Sequence, residues 1–141
     1  MVRDHLLCDA DFPTEWIETC GASEPIPPGR VLAHYLQAIL DDNAVRATEV
    51  WNEEDYAWAF NCQHQRITIC VQAARLENHW LIIFTIVSLV PRFLRSQIYE
   101  RSLQAICDVI DKALKSDNRF HNLRWFSAAE FDAFEQSPGT S

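Results

Sequence analysis

Cys62 and His64 stand two positions apart. On an extended strand that spacing puts a thiol and an imidazole on one side, the start of an activated nucleophile and its base. Nothing in the sequence supplies the third, orienting group. The strand pairing derived below sends His79 to the far end of the same hairpin, so Cys62, His64 and His79 do not converge as metal ligands. His5, His34 and His121 are scattered singly, and His34 falls on a helix surface. Glu53, Glu54 and Asp55 are consecutive carboxylates. Glycosidase chemistry needs two carboxylates facing each other across a cleft, which neighbours on one loop do not provide. A loop solvates them instead.

The glycines are Gly21, Gly29 and Gly139, none of them at a strand-to-helix turn of the predicted core. That excludes phosphate-cradling loops and dinucleotide fingerprints. Neither a Gly-x-Ser-x-Gly elbow nor a His-Glu-x-x-His pair occurs. No catalytic residue, metal ligand set or cofactor is therefore assigned, and the pattern favours interaction over catalysis. Arg92 and Arg95 precede a helix N-terminus, where positive charge is mildly unfavourable. With Arg101 they either hold an anion or pair with the chain's own acids, and the sequence leaves both open.

The 141 residues fit one domain, 1–141, and 48% hydrophobic content supports a packed core. Residues 1–29 read as an irregular N-terminal segment, with Asp11 capping a short helix Phe12–Cys20. Residues 136–141 read as a flexible tail. Val2–Asp11 is acidic and lacks the basic-plus-apolar pattern of a secretion signal. The cysteine count is five, an odd number with no Cys-x-x-Cys, which fits reduced thiols in the cytoplasm. Net charge is −8, and it is unevenly spread. Residues 1–55 carry −9 and the remainder +1. An acidic balance of this kind disfavours nucleic acid and anionic membranes and favours a protein partner with a basic surface.

The scaffold is legible from periodicity. Tyr56, Trp58, Phe60 and Cys62 alternate with small or polar residues, as do Ile67, Ile69, Val71 and Ala73. A turn at His64-Gln65 pairs Cys62 with Ile67, Phe60 with Ile69, Trp58 with Val71 and Tyr56 with Ala73, gathering the bulky side chains on one face. A third strand, His79–Leu89, is apolar on both faces. With Arg75–Asn78 as loop, Trp80 lies across from Ala73 and Ile82 across from Val71. The second face of this strand needs cover from a helix or from another chain. Eleven residues are too few to span a bilayer as a helix. Val45–Trp51 reads as a first strand of ambiguous register, turning either Glu49 or Arg46 and Thr48 inward.

Helical spacing marks Arg30–Asp41 and Gln97–Lys115, the latter with Ser96 as cap. Phe120–Phe126 reads as a short edge strand. Ser127-Ala128-Ala129-Glu130 is a capping box, flanked by a Phe126/Phe131 staple and leading into a helix over 128–135. The expected architecture is α+β: a mainly antiparallel four-stranded meander sheet packed with helices, then a short C-terminal strand and a capped helix.

Asp41, Asp42, Glu49, Trp51, Glu53, Glu54, Asp55 and Tyr56 form the candidate partner-binding set, in which acids steer and aromatics anchor. Size, acidity and mixed α/β content resemble the general type of bacterial immunity protein, an inhibitor of a basic toxin, without any shared motif. Two alternatives stand beside it. One is a dimeric chaperone or adaptor for a secreted protein, which leaves monomer and homodimer both open. The other is an enzyme or small-ligand binder with a pocket lined by Trp51, Trp58 and Trp80.

Overall fold

A computed structural model describes residues 2–16, 26–53 and 56–137, apart from the side chain of Arg92. The elements in chain order are β1 (His5–Ala10), α1 (Arg30–Asp42), β2 (Arg46–Ala47), β3 (Trp51–Glu53), β4 (Ala57–His64), β5 (Ile67–Leu76), β6 (His79–Val87), α2 (Gln97–Lys115), β7 (Phe120–Phe126) and α3 (Ala128–Glu135). The class is α+β with an antiparallel sheet, as expected, but the sheet has seven strands among the described residues instead of four. Its order is β2-β4-β5-β6-β1-β7, with β3 also pairing β4. The meander β4-β5-β6 is there, and β1 is inserted between β6 and β7.

Both hairpin registers differ from the sequence reading, and by the same amount. Gln65 and Arg66 form the first turn with φ of 50° and 69°, so Cys62 pairs Ile69, Phe60 pairs Val71 and Trp58 pairs Ala73. At the second turn Leu76 pairs His79, so Trp80 lies across from Arg75 and Ile82 across from Ala73. Each shift is two residues. An even slip keeps every side chain on its face, so the predicted face survives the wrong pairing. Left-handed backbone at a non-glycine residue costs on the order of 1 kcal/mol. Gln65 and Arg66 take it so that the ladder closes with His64 opposite Ile67.

Trp58, Ala73 and Ile82 form one transverse row across the sheet, and Phe60, Val71 and Phe84 the next. Both rows are buried on the face covered by α1 and α2. Leu32, Leu36 and Leu40 of α1 and Leu103, Ile106, Ile110 and Leu114 of α2 supply that cover. Trp58 and Trp80 are therefore core residues, not pocket walls. Their indole N–H groups are satisfied by the carbonyls of Pro27 at 2.9 Å and Ala10 at 3.3 Å. The opposite face of β6 is closed by α3. Leu7, Leu81 and Phe131 form a second small core there, with Ile83, Phe126 and Phe134 around it. The capping box forms as read: Ser127 Oγ accepts from the Glu130 N–H at 3.2 Å, and Glu130 Oε1 accepts from the Ser127 N–H at 2.9 Å.

Within the N-terminal segment read as irregular, His5–Ala10 forms β1, paired on both sides by β6 and β7. Residues 12–16 are not helical, and residues 17–20 of the expected helix lie outside the described residues. Of the expected tail, residues 138–141 lie outside them too, whereas the N–H groups of Gln136 and Ser137 close the end of α3. The expected strand Val45–Trp51 is split into β2 and β3. Neither register alternative holds, because Arg46, Thr48 and Glu49 are all exposed.

Candidate functional site

The candidate set lies along one edge of the sheet. Asp41 and Asp42 end α1, and the chain then runs antiparallel beside β4, from Arg46 opposite Gln63 to Glu53 opposite Ala57. Six residues of strand separate the two ends of this edge, about 20 Å at 3.4 Å per residue. The set is thus a line and not a point. Trp51 and Glu53 meet, the indole Nε1 donating to Glu53 Oε2 at 2.6 Å. Tyr56 is 49% exposed at the same end. Asp41 and Asp42 lie at the other end and Glu49 between. Glu54 and Asp55 lie outside the described residues.

Position, more than pairing, sets these acids apart. Some acids elsewhere have partners: Asp9 meets His79, Asp111 meets Lys115, Asp117 meets Arg119 and Glu130 meets Arg3, whereas Glu77, Glu100, Asp132 and Glu135 are exposed and, among the described residues, have none. Asp41, Asp42 and Glu49 are exposed, and among the described residues none of their carboxylates has an ion pair or a hydrogen bond. Asp41 and Asp42 also sit where a helix least accommodates them. The C-terminal end of a helix carries partial negative charge, and the last turn of α1 holds no basic residue. Asn43 relieves the helix end by donating its side-chain Nδ2 to the Ile39 carbonyl at 2.8 Å. The two carboxylates themselves receive nothing.

The Cys62–His64 pair does not form a nucleophile and base. Cys62 is fully buried, and burial pushes its thiol up to about 12. His64 turns to the buried Ser102 of α2, with Nδ1 and Oγ 2.9 Å apart. Cys8 is likewise pushed up to about 12 and Cys70 to about 11, both chiefly by burial, so these thiols are protonated packing groups. Among the described residues no three His, Cys, Asp or Glu side chains are placed to hold a metal. Of the three arginines near α2, Arg95 and Arg101 turn to partners on the chain itself, and the side chain of Arg92 lies outside the described residues. Arg95 Nε donates to the Val90 carbonyl at 3.0 Å, and Arg101 reaches Gln97 Oε1 at 3.5 Å. The best-formed groove, about 260 Å³, lies beside them and is lined by Asp4, Thr85, Arg95, Tyr99 and Leu103 among others.

Two polar clusters escaped the sequence. In the first, Asp9 Oδ1 lies 2.6 Å from His79 Nδ1, while Asp9 Oδ2 accepts from Asn122 Nδ2 at 2.8 Å. The Asn122 hydrogen bond is the main cause that holds Asp9 below the usual carboxylate range. In the second, Asp117 accepts from Arg119 and from the Tyr35 hydroxyl, and the Arg119 guanidinium lies 4.7 Å from the Tyr35 ring and 5.1 Å from that of Phe12. This cluster ties α1 to the α2–β7 turn, and it depresses the Asp117 pKa strongly, Arg119 being the largest cause. Neither could be found without knowing that β1 and β7 are neighbours.

Family models, curated proteins and solved structures contain no match to this chain. No helix among the described residues is long and apolar enough to cross a membrane.

Proposed function

We propose that this chain is a protein-interaction domain whose acidic edge binds and occludes a partner with a basic surface, in the manner of an immunity or antitoxin-type inhibitor acting in the cytoplasm. One observation carries the reading: Asp41, Asp42 and Glu49 are exposed and without an ion pair among the described residues, and they share one edge of about 20 Å with Glu53 at its far end. An edge that long suits a protein partner better than a small ligand. Complementary charge accelerates encounter and sets register. Trp51, held by Glu53, and the half-exposed Tyr56 offer aromatic anchors at one end.

Capture from native cells tests this. Immobilised wild type is compared with an Asp41→Asn, Asp42→Asn, Glu49→Gln, Glu53→Gln variant and with a control neutralised on α2 at Asp108. A basic protein retained by wild type and control, released by salt and lost by the variant, is the expected result. Equal retention by the variant overturns the reading.

A further inference from the structure

We propose that two copies of this chain associate through the apolar tip between β6 and α2. Of nine large hydrophobic side chains exposed among the described residues, six fall within residues 87–98. They are Val87 at 51%, Leu89 at 104%, Val90 at 37%, Phe93 at 85%, Leu94 at 64% and Ile98 at 45%. The remaining three, Trp16, Val31 and Tyr56, are isolated. Single exposed apolar residues are ordinary, whereas a cluster marks an interface.

The tip is built, not loose. The Leu94 N–H donates to the Pro91 carbonyl at 2.9 Å, and the Val90 N–H to Ser88 Oγ at 3.1 Å. A short 3-10 turn over Arg92–Leu94 follows and presents Phe93 outward. Together the six side chains offer on the order of 600–700 Å² of apolar surface, at or above the largest patch of a typical monomer. With a polar rim this approaches the roughly 800 Å² per partner of a standard interface. A two-fold contact would place the same patch of both copies against each other.

The two described arginines beside the tip weigh for a second copy over an anionic partner. A site for acidic lipid or an acidic peptide needs guanidinium groups free to reach out. Arg95 is instead turned back on its own chain, donating to Val90 O with its guanidinium 6.0 Å from the Tyr99 ring, and Arg101 is turned toward Gln97. Among the described side chains of the tip, the most exposed are hydrocarbon: Leu89, Phe93 and Leu94. The net charge of −8 makes two copies repel at long range. Salt screens that repulsion, with a Debye length of about 8 Å at physiological strength. Self-association therefore holds or tightens as salt rises, the opposite of the behaviour expected at the acidic edge, and it stands whether or not the acidic edge binds anything.

Sedimentation velocity of the full chain from about 1 to about 100 μM, at low and high salt, tests the proposal. Wild type is expected to be a dimer at both salts. Phe93→Asp with Leu94→Asp raises the dimer Kd by roughly 100-fold or more and leaves a monomer with unchanged circular dichroism. Val31→Asp, at an exposed position elsewhere, stays dimeric. Should the double variant misfold, Leu89→Lys alone serves, because that fully exposed side chain has no packing to lose. A wild type that is monomeric throughout overturns the proposal, and so does a dimer that survives the tip substitutions. A monomer that floats with phosphatidylcholine/phosphatidylserine vesicles assigns the tip to lipid instead and also overturns it.

Discussion

Neutralising Asp41 and Asp42 together should make the protein more stable. Both lie in the last turn of α1, with no cation beside them and no hydrogen bond to either carboxylate. A negative charge at that end of a helix costs about 0.3–1 kcal/mol at low ionic strength. Full exposure and the Asn43 cap, which already satisfies the Ile39 carbonyl, place each residue near the lower end. The pair then costs about 0.6–1 kcal/mol. Asparagine has nearly the helix propensity of aspartate, so the double substitution isolates charge. For a chain of this size the gain corresponds to a rise in Tm of about 2–4 °C. Thermal melts at about 20 mM and about 300 mM salt read it, with the gain present at the first and nearly gone at the second. A variant that melts lower than wild type at low salt refutes the reasoning, because it means the carboxylates have a stabilising partner. The same substitutions remove two acids of the proposed edge, which links the stability measurement to that proposal.

Gly29 adopts φ of +126°, and a Cβ there would come within 3.0 Å of the Ala73 carbonyl, so Gly29→Ala should destabilise by about 1–3 kcal/mol in chemical denaturation. Ser127→Ala removes the cap of α3 and should cost about 1 kcal/mol in the same assay. Glu130 is held down at about 2, chiefly by Arg3 and then by the Ser127 N–H. A carboxylate depressed in the folded state stabilises above its unfolded pKa and loses that contribution as pH falls from about 4.5 toward 2. Stability of wild type should therefore converge on that of Glu130→Gln as pH drops through this window, which denaturation at a series of pH values reads. Cys8, Cys62 and Cys70, pushed up to between about 11 and about 12, should resist a thiol reagent at pH 8 until the protein unfolds.

Periodic elements were legible in the sequence because one physical pattern fixes each. The apolar stripe of α2 gave Gln97–Lys115, and the Ser127/Glu130 box placed α3, to the residue. Turn chemistry was less legible. Gln65, Arg66 and Glu77 take positive φ without being glycine, so each hairpin was read two residues out of register while its faces stayed right. β1 escaped for a different reason. It is a central strand covered on both sides, so Leu6, Leu7 and Cys8 are buried in succession and no alternation announces a strand. At the candidate site, the sequence located the acids but not their spread along a whole edge, which depends on β2 and β3 pairing β4. The same logic hid the tip. Leu89 reads as the end of the third strand, but the β6 ladder ends at Val87 and leaves it outside, with Phe93 beyond it.

The central claim is that unpaired acids along the α1–β3 edge draw in a basic protein. Once a partner is in hand, its association rate with wild type and with the Asp41→Asn, Asp42→Asn, Glu49→Gln, Glu53→Gln variant, followed by stopped flow across a salt series, tests that most directly. The account predicts association slowed by roughly 10- to 100-fold at low salt, with the two proteins converging at high salt. Equal rates at low salt would contradict it.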